Sequence, residues 1–494
     1  MDRATYELPE ASSRQQQEQE KLIKEYELRQ KAKSVVVPTD DGRVRQMLRQ
    51  LGEPITLFGE KEMERRERLR RTLAQQEAVT AELPAVGQVV VQEMAPAQKE
   101  KFWTEGPMEL KAARAKIAQW SLQRAAARIG SGKRRRDDPG ERVSARSVRL
   151  SAHAHAKHIT QQSSEIGDER PISGCEFSPN GSMLATCGWG GALSVWDVAD
   201  NRQSRCWVAR ANEERCTDVV WHPSAQMLPQ DVVSSIKGEH GVQGEGGMST
   251  LALATASVDR TARLFSGTGK LLRILVGHED RLARMAFHPM GKHLATASFD
   301  MTWRMWDVET GQCLMEQEGH SRPVYTVAFH PDGSLAASAG LDSIGRLWDC
   351  RTGRSIWTLE GHIKQVLAMD FSPNGYQVVT GSDDHQAKVW DLRARKCVYT
   401  IPGHRSLISS AHFEHSSGGQ YIVTGGYDGL VKVWSSKDFK LLRTLAGHEG
   451  KVMAVDSSPA PNSHLIASVS YDRTVKLWAP EGVEEEKHGD AMEL

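Results

Sequence analysis

The chain has 494 residues, of which 39% are hydrophobic, and its 63 Lys+Arg balance 63 Asp+Glu. The charge is unevenly spread: residues 1–150 hold 30 basic against 23 acidic side chains and residues 151–494 hold 33 against 40, which reads as a basic arm on a mildly acidic body. No apolar run approaches 18 residues, the opening MDRATYELPEASSRQQQEQE has no apolar core, and the seven scattered cysteines never fall as Cys-x-x-Cys, so a membrane span, a secretory leader, a disulfide frame and a zinc ribbon are excluded from the reading.

Residues 1–34 are rich in Gln, Glu and Lys, which supports a solvated, partly disordered helix that orders on a partner. From Ser34 the text changes. Asp40 and Asp41 precede a short helix in which Val44, Met47, Leu48 and Leu51 recur at helical spacing, and Gly52 and Pro54 stop it. Ile55, Leu57 and Phe58 form an extended apolar step, Gly59 turns the chain, and a helix mixing Glu with Arg starts near Glu60. So small an apolar element has no core of its own. Leu51, Gly52, Glu53, Pro54, Ile55, Leu57 and Phe58 are therefore candidate protein-docking residues. The stretch VRQMLRQLGEPITLFGEKEMERRERLRR, residues 44 to 71, resembles the splicing factor motif of the pre-mRNA processing factor four family, the WD40 component of the U4/U6 small nuclear ribonucleoprotein. A related LGxPxTLFGE-like motif occurs in another splicing factor family, so residues 35–78 alone point to splicing and not to one family.

Residues 79–100, with Pro84, Gly87 and Pro96, read as a linker. In the basic helical segment 101–130, Phe102 and Trp103 form an apolar anchor for a protein partner, and Ala-rich helical text starts near Met108. Leu110, Ala113, Ile117 and Trp120 line one face, while Lys111, Arg114, Lys116, Arg124 and Arg128 make much of the remainder cationic. This segment is similar to the second block of the same family. Lys133, Arg134, Arg135 and Arg136 extend the charge into 131–156, read as a basic linker. Two roles stand open for these cations: contact with RNA phosphates, or a nuclear import signal. His153, His155 and His158 lack a further ligand for a metal and read as solvent-exposed linker histidines.

After residue 157 the chain is a repeat array, with a period of 41 to 44 residues apart from one gap of 69. Asp300 and Trp306 recur six residues apart as Asp342 and Trp348, Asp384 and Trp390, Asp428 and Trp434, and Asp472 and Trp478. Each follows a Gly-His pair carrying His278, His320, His362, His404 or His448. Aromatic-x-Pro elements set the register of two degenerate copies, with Asp168 and Asn212 where His is expected. Seven such repeats define an all-β, seven-bladed WD40 β-propeller over 157–480, preceded by an α-helical, partly extended N-terminal arm. Residues 224–248 are a Gly-rich insertion read as tolerated surface, and 481–494 an acidic tail. The last repeat lacks its outer strand, which a stretch between Lys157 and Glu165 is expected to supply.

A catalytic reading of the His-Asp pairs fails on their fivefold repetition, because an active site needs one constellation. Resemblance to WD40 propellers implies instead a network within each blade of His, a strand Ser or Thr, Asp and Trp, with Ser298, Ser382 and Ser470 in the hydroxyl position and Gly340 and Gly426 replacing it elsewhere. No phosphate-binding, dinucleotide or metalloprotease motif is present. The expectation is a non-enzymatic nuclear scaffold, without cofactor, metal, membrane or small-molecule substrate. The family resemblance implies association with the U4/U6 snRNA duplex, a pre-mRNA processing factor three type protein, a cyclophilin and other tri-snRNP proteins. The alternative, a WD40 substrate receptor of a ubiquitin ligase, needs an adaptor-binding motif that the arm does not resemble.

Overall fold

The computed structural model describes residues 37–38, 40–54, 62–81, 108–199, 202–225, 251–461 and 463–481. Two compact units divide the chain, Met1–Phe102 with Glu318–Ser321 and Trp103–Gln317 with Arg322–Leu494. In the first, α1 (Asp41–Gln50) and α2 (Glu62–Ala81) share a small apolar cluster of Val37, Val44, Leu48 and Leu69. Asp40 caps α1, its carboxylate accepting from the Gly42 amide at 3.0 Å, and Asp41 pairs with Arg65 of α2. Gly52 ends α1 at φ +73, which lets the Glu53 amide donate to Leu48 O at 3.0 Å.

The second unit is a ring of seven four-stranded antiparallel sheets, the blades, at 172–210, 216–275, 282–317, 324–359, 366–402, 408–446 and 452–480. Each blade starts at the axis, where successive inner strands adjoin: β2 (Ile172–Phe177), β6 (Cys216–Trp221), β10 (Leu282–Phe287), β14 (Val324–Phe329), β18 (Val366–Phe371), β22 (Ile408–Phe413) and β26 (Val452–Ser457). The second strands are buried on both faces, as β11 (His293–Ser298) is throughout. Their text is small for that reason. Ala254, Ala256, Ala295, Ala297, Ala337 and Ala339 leave room for the larger side chains of neighbouring blades.

The seventh blade takes its outer strand from the other end of the ring. β1 (Ile159–Ile166) pairs antiparallel with β28 (Thr474–Pro480), from Ile159 opposite Pro480 to Ile166 opposite Thr474. Ile159 is fully buried among Trp478, Leu445 and Tyr421. Ahead of β1 stand α3 (Met108–Asp137) and α4 (Pro139–Lys157), so the stretch 131–156, expected as a linker, is helical. Asp138 caps α4, accepting from the Gly140 amide at 2.9 Å, and Pro139 occupies its first turn, where a missing N–H costs nothing. The insertion lies almost wholly outside the described residues, as does the acidic tail after Glu481.

Because Ile159 anchors the closing strand, Ile159→Ala is expected to destabilise the ring by about 2–5 kcal/mol. Urea unfolding followed by tryptophan fluorescence measures this. A loss comparable to a surface substitution such as Thr160→Ala would show that the strand does not hold the blade.

Candidate functional site

In four blades, Asp, His, Trp and a hydroxyl meet in a buried chain of hydrogen bonds. His278 Nδ1 lies 2.6 Å from Asp300 Oδ2, its Nε2 lies 2.7 Å from Thr296 Oγ1, and Trp306 Nε1 donates to the same hydroxyl at 2.8 Å. The sets His362–Asp384–Thr380–Trp390, His404–Asp428–Thr424–Trp434 and His448–Asp472–Ser468–Trp478 repeat it at 2.7–3.1 Å. Asp342 is buried in the fourth blade, where Trp348 Nε1 donates to Ser338 Oγ at 2.8 Å. Burial holds His362 and His404 below the ordinary imidazole pKa, hence neutral. The carboxylate fixes the tautomer, and the chain of donors runs Trp to hydroxyl to His to Asp.

The hydroxyl stands two residues before the position read from the sequence. Ser298, Ser382 and Ser470 instead accept the amides of Asp300, Asp384 and Asp472 at 3.1–3.2 Å, and Ser298 and Ser382 also donate to loop carbonyls. This explains why glycine is tolerated there: a Cβ on Gly340 would come within 2.2 Å of Pro323 O, while Ser338 still accepts the Trp348 indole N–H. The first two blades keep remnants. Trp196 Nε1 donates to Thr186 Oγ1 at 2.9 Å, and Asn212 Nδ2 to Thr255 Oγ1 at 3.3 Å.

A second device, not foreseen from the sequence, joins blade to blade. In Trp221-His222-Pro223, Phe287-His288-Pro289 and Phe329-His330-Pro331 the histidine lies in the loop after an inner strand. Its Nδ1 accepts an amide two residues on at 3.1–3.3 Å, and its Nε2 donates to a glycine carbonyl of the following blade, Gly291, Gly333 or Gly375, at 2.8–3.0 Å. Burial pushes all three histidines down, His288 to about 4. Gly333 sits at φ +71 with His288 where its Cβ would be, so the acceptor must be glycine. At the axis, carboxylates of Glu176, Asp218, Asp370 and Asp456 accept inner-strand amides of Trp221, Met285, Phe413 and Phe177 in adjoining blades. Arg284 reaches Asp218 at 2.8 Å and Met453 O of the seventh blade at 3.3 Å.

The helices seat on this same loop region. Leu110, Ala113 and Ile117 of α3 join the core containing Met305, Leu314 and Met315, and Trp120 stands 5.6 Å from the His288 ring. Of the cations singled out in the sequence, Arg128 pairs with Asp332 at 2.8 Å and stacks over Tyr376, and Arg114 lies against Met315 at 3.6 Å, so the propeller engages both. Arg124 stacks over Trp120 at 4.5 Å with its edge exposed. Lys111, Lys116, Lys133, Arg134, Arg135 and Arg136 face outward. On α4, His153 lies 3.1 Å from Gln420 O and His155 stacks on His464, with ring centroids 4.7 Å apart. These two are helix-packing residues and not exposed linker histidines. No cluster of metal-ligating side chains occurs among the described residues. Leu51, Gly52, Glu53 and Pro54 lie at the end of α1, where Arg68 donates to Pro54 O at 2.8 Å. Ile55, Leu57, Phe58, Phe102 and Trp103 lie outside the described residues.

Repeat, ring and network together define a WD40-repeat β-propeller. A family model described as WD domain, G-beta repeat, matches residues 160–197, and one described as IFT122 first beta-propeller matches 283–487. A third, pre-mRNA processing factor 4 (PRP4) like, matches residues 44–72. With both parts matched, the chain resembles the PRP4 proteins of the U4/U6 small nuclear ribonucleoprotein. It is 44% identical over 278 residues to the PRP4-like protein of Arabidopsis thaliana, covering 55% of this chain and 45% of that one. It is 40% identical over 220 residues to Prp4 of Homo sapiens, 44% of this chain and 41% of that one, and 31% identical over 283 residues to PRP4 of Saccharomyces cerevisiae, 57% and 56%. The aligned stretches therefore span about half the length of these relatives.

Thr296→Val would strand the Trp306 N–H and His278 Nε2 and is expected to cost about 1–3 kcal/mol for each buried group left unpaired, well above Ser298→Ala. Chemical denaturation of the two variants decides which hydroxyl carries the network. Acid acts through the histidines first. A group whose folded pKa lies below its unfolded value binds more protons when unfolded, so its contribution is full above the unfolded pKa and disappears as pH falls through the folded one. For His288 that window runs from about 6.5 down to about 4 and contributes about 3 kcal/mol. Asp300, held at about 2, adds a further loss below its ordinary 3.8. Thermal midpoints of the protein and of His288→Gln between pH 7 and 4 test this, the variant showing the shallower decline.

Proposed function

We propose that this protein is a non-enzymatic nuclear scaffold of the U4/U6 snRNP and the U4/U6.U5 tri-snRNP, acting in pre-mRNA splicing. The observation that carries the reading is the PRP4-like match at residues 44–72 ahead of a propeller similar to those of named U4/U6 ribonucleoproteins. The propeller supplies a rigid body, since its His-Asp pairs are buried within the blades and engaged in packing hydrogen bonds. The arm supplies adhesion. Leu51, Gly52, Glu53, Pro54, Ile55, Leu57 and Phe58, with Phe102 and Trp103, are the docking residues for protein partners, a pre-mRNA processing factor three type protein and a cyclophilin among them. Lys133, Arg134, Arg135 and Arg136, exposed at the end of α3, contact U4/U6 snRNA or serve as an import signal.

Affinity purification from nuclear extract followed by RNA sequencing tests the reading, with U4 and U6 snRNA expected to be enriched together. Recovery of a cullin adaptor without either RNA would favour the ubiquitin ligase alternative. Leu57→Asp with Phe58→Asp is expected to abolish protein partner binding and leave the propeller folded. Replacing Lys133 to Arg136 by Gln is expected to weaken RNA binding and to reduce the slope of log K against log salt by up to about 3. A change in nuclear entry alone would assign the cluster to import.

A further inference from the structure

Helix α3 is apolar on two opposite faces. Its inner face, Leu110, Ala113 and Ile117, is buried in the propeller core. On the outer face Met108, Ala112, Ala115, Gln119, Leu122, Ala126 and Ile129 are all exposed, the three large apolar side chains by 78%, 59% and 56%. Their spacing alternates four and three residues without a break, the 3.5-residue period that places side chains in one seam against a second helix. Six of these seven positions are apolar, whereas a helix with one solvated face carries polar residues there. The seam is about 32 Å long.

The charge around the seam selects what can lie on it. Over Met108–Asp137 there are nine Lys or Arg and two acidic residues. Arg114 and Arg128 are engaged by the propeller, but Lys111 and Lys116 are exposed and flank the seam directly. A matching helix therefore needs apolar residues at alternating spacings of three and four and Asp or Glu beside them. Nucleic acid fits less well, because the centre of the face is aliphatic while the densest cations lie at its far end. The preceding segment 82–107 does not fit either: Pro84, Pro96 and Pro107 leave no uninterrupted helix of matching length.

We propose that the outer face of α3 is a docking seam for an amphipathic, acid-flanked α-helix of a partner protein. The test places a photo-crosslinking benzoylphenylalanine at Leu122 of the full chain, forms the complex in nuclear extract and maps the crosslinked peptide by mass spectrometry. The expected product is a protein segment with apolar residues alternating at three and four and flanked by Asp or Glu, its yield falling about tenfold with Lys111→Glu and Lys116→Glu together. The paired variant Leu122→Gln with Ile129→Gln is expected to lose the same partner about tenfold while its circular dichroism and thermal midpoint stay unchanged, because both side chains are exposed. A crosslink to residues 82–107 of the same chain, to RNA or to a segment without that pattern would overturn the proposal. So would the absence of a crosslink above an irradiated control.

Discussion

Hydrogen bonding between β1 and β28 ties residue 159 to residue 480, and the rest of the ring depends on that tie. Each blade buries its faces on the blades beside it, so no blade has a core independent of its neighbours. An open ring would expose two blade faces as well as one strand edge. The closure is reinforced at the axis, where Asp456 of the seventh blade accepts the Phe177 amide of the first at 2.7 Å. Buried polar chemistry elsewhere in the ring serves the same end. The Trp-hydroxyl-His-Asp chains hold strands within a blade, and the His222, His288 and His330 bonds hold one blade to the next.

The architecture was legible because it is periodic. Asp300 to Trp306, copied four more times, fixes blade number and register even where Asp168 and Asn212 replace histidine. The need for a closing strand followed from an incomplete last repeat. Finer chemistry was harder to read where the text offers two answers: Thr296 and Ser298 are both hydroxyls two residues apart on one strand and point to the same side. The reach of the Trp306 indole and of the His278 ring separates them. The inter-blade histidines left a readable trace in aromatic-His-Pro, a pattern distinct from the aromatic-Ser-Pro at Ser178 and Ser372. Their glycine acceptors lie a whole repeat away, which local text does not reveal.

The arm was less legible because tertiary contacts override its local text. Residues 131–156 read as a basic linker, yet α3 runs through Gly130 and Gly132, and Pro139 opens α4 instead of interrupting it. Gly132 passes so close to Tyr376 that an added Cβ would lie 2.9 Å from its hydroxyl, so the contact uses the missing side chain. Likewise a row of arginines reads as uniform charge in sequence. In the fold it divides into Arg114 and Arg128, which fasten the helix, and the cations that remain outward. Composition records how much charge a helix carries, and only packing decides which of it is available to a partner.

The β1–β28 pair also sets an order of events during synthesis. β1 is made before the first complete blade and its partner about 300 residues later, which at 5–20 residues per second is a wait of roughly 15–60 s. Throughout that interval an eight-residue strand has emerged without the strand it must pair with. Helices α3 and α4 are made just ahead of it and take their seats on blades that form in the meantime. They can therefore hold the strand beside the growing ring, and the ring is completed last at the point where its first-made and last-made strands meet.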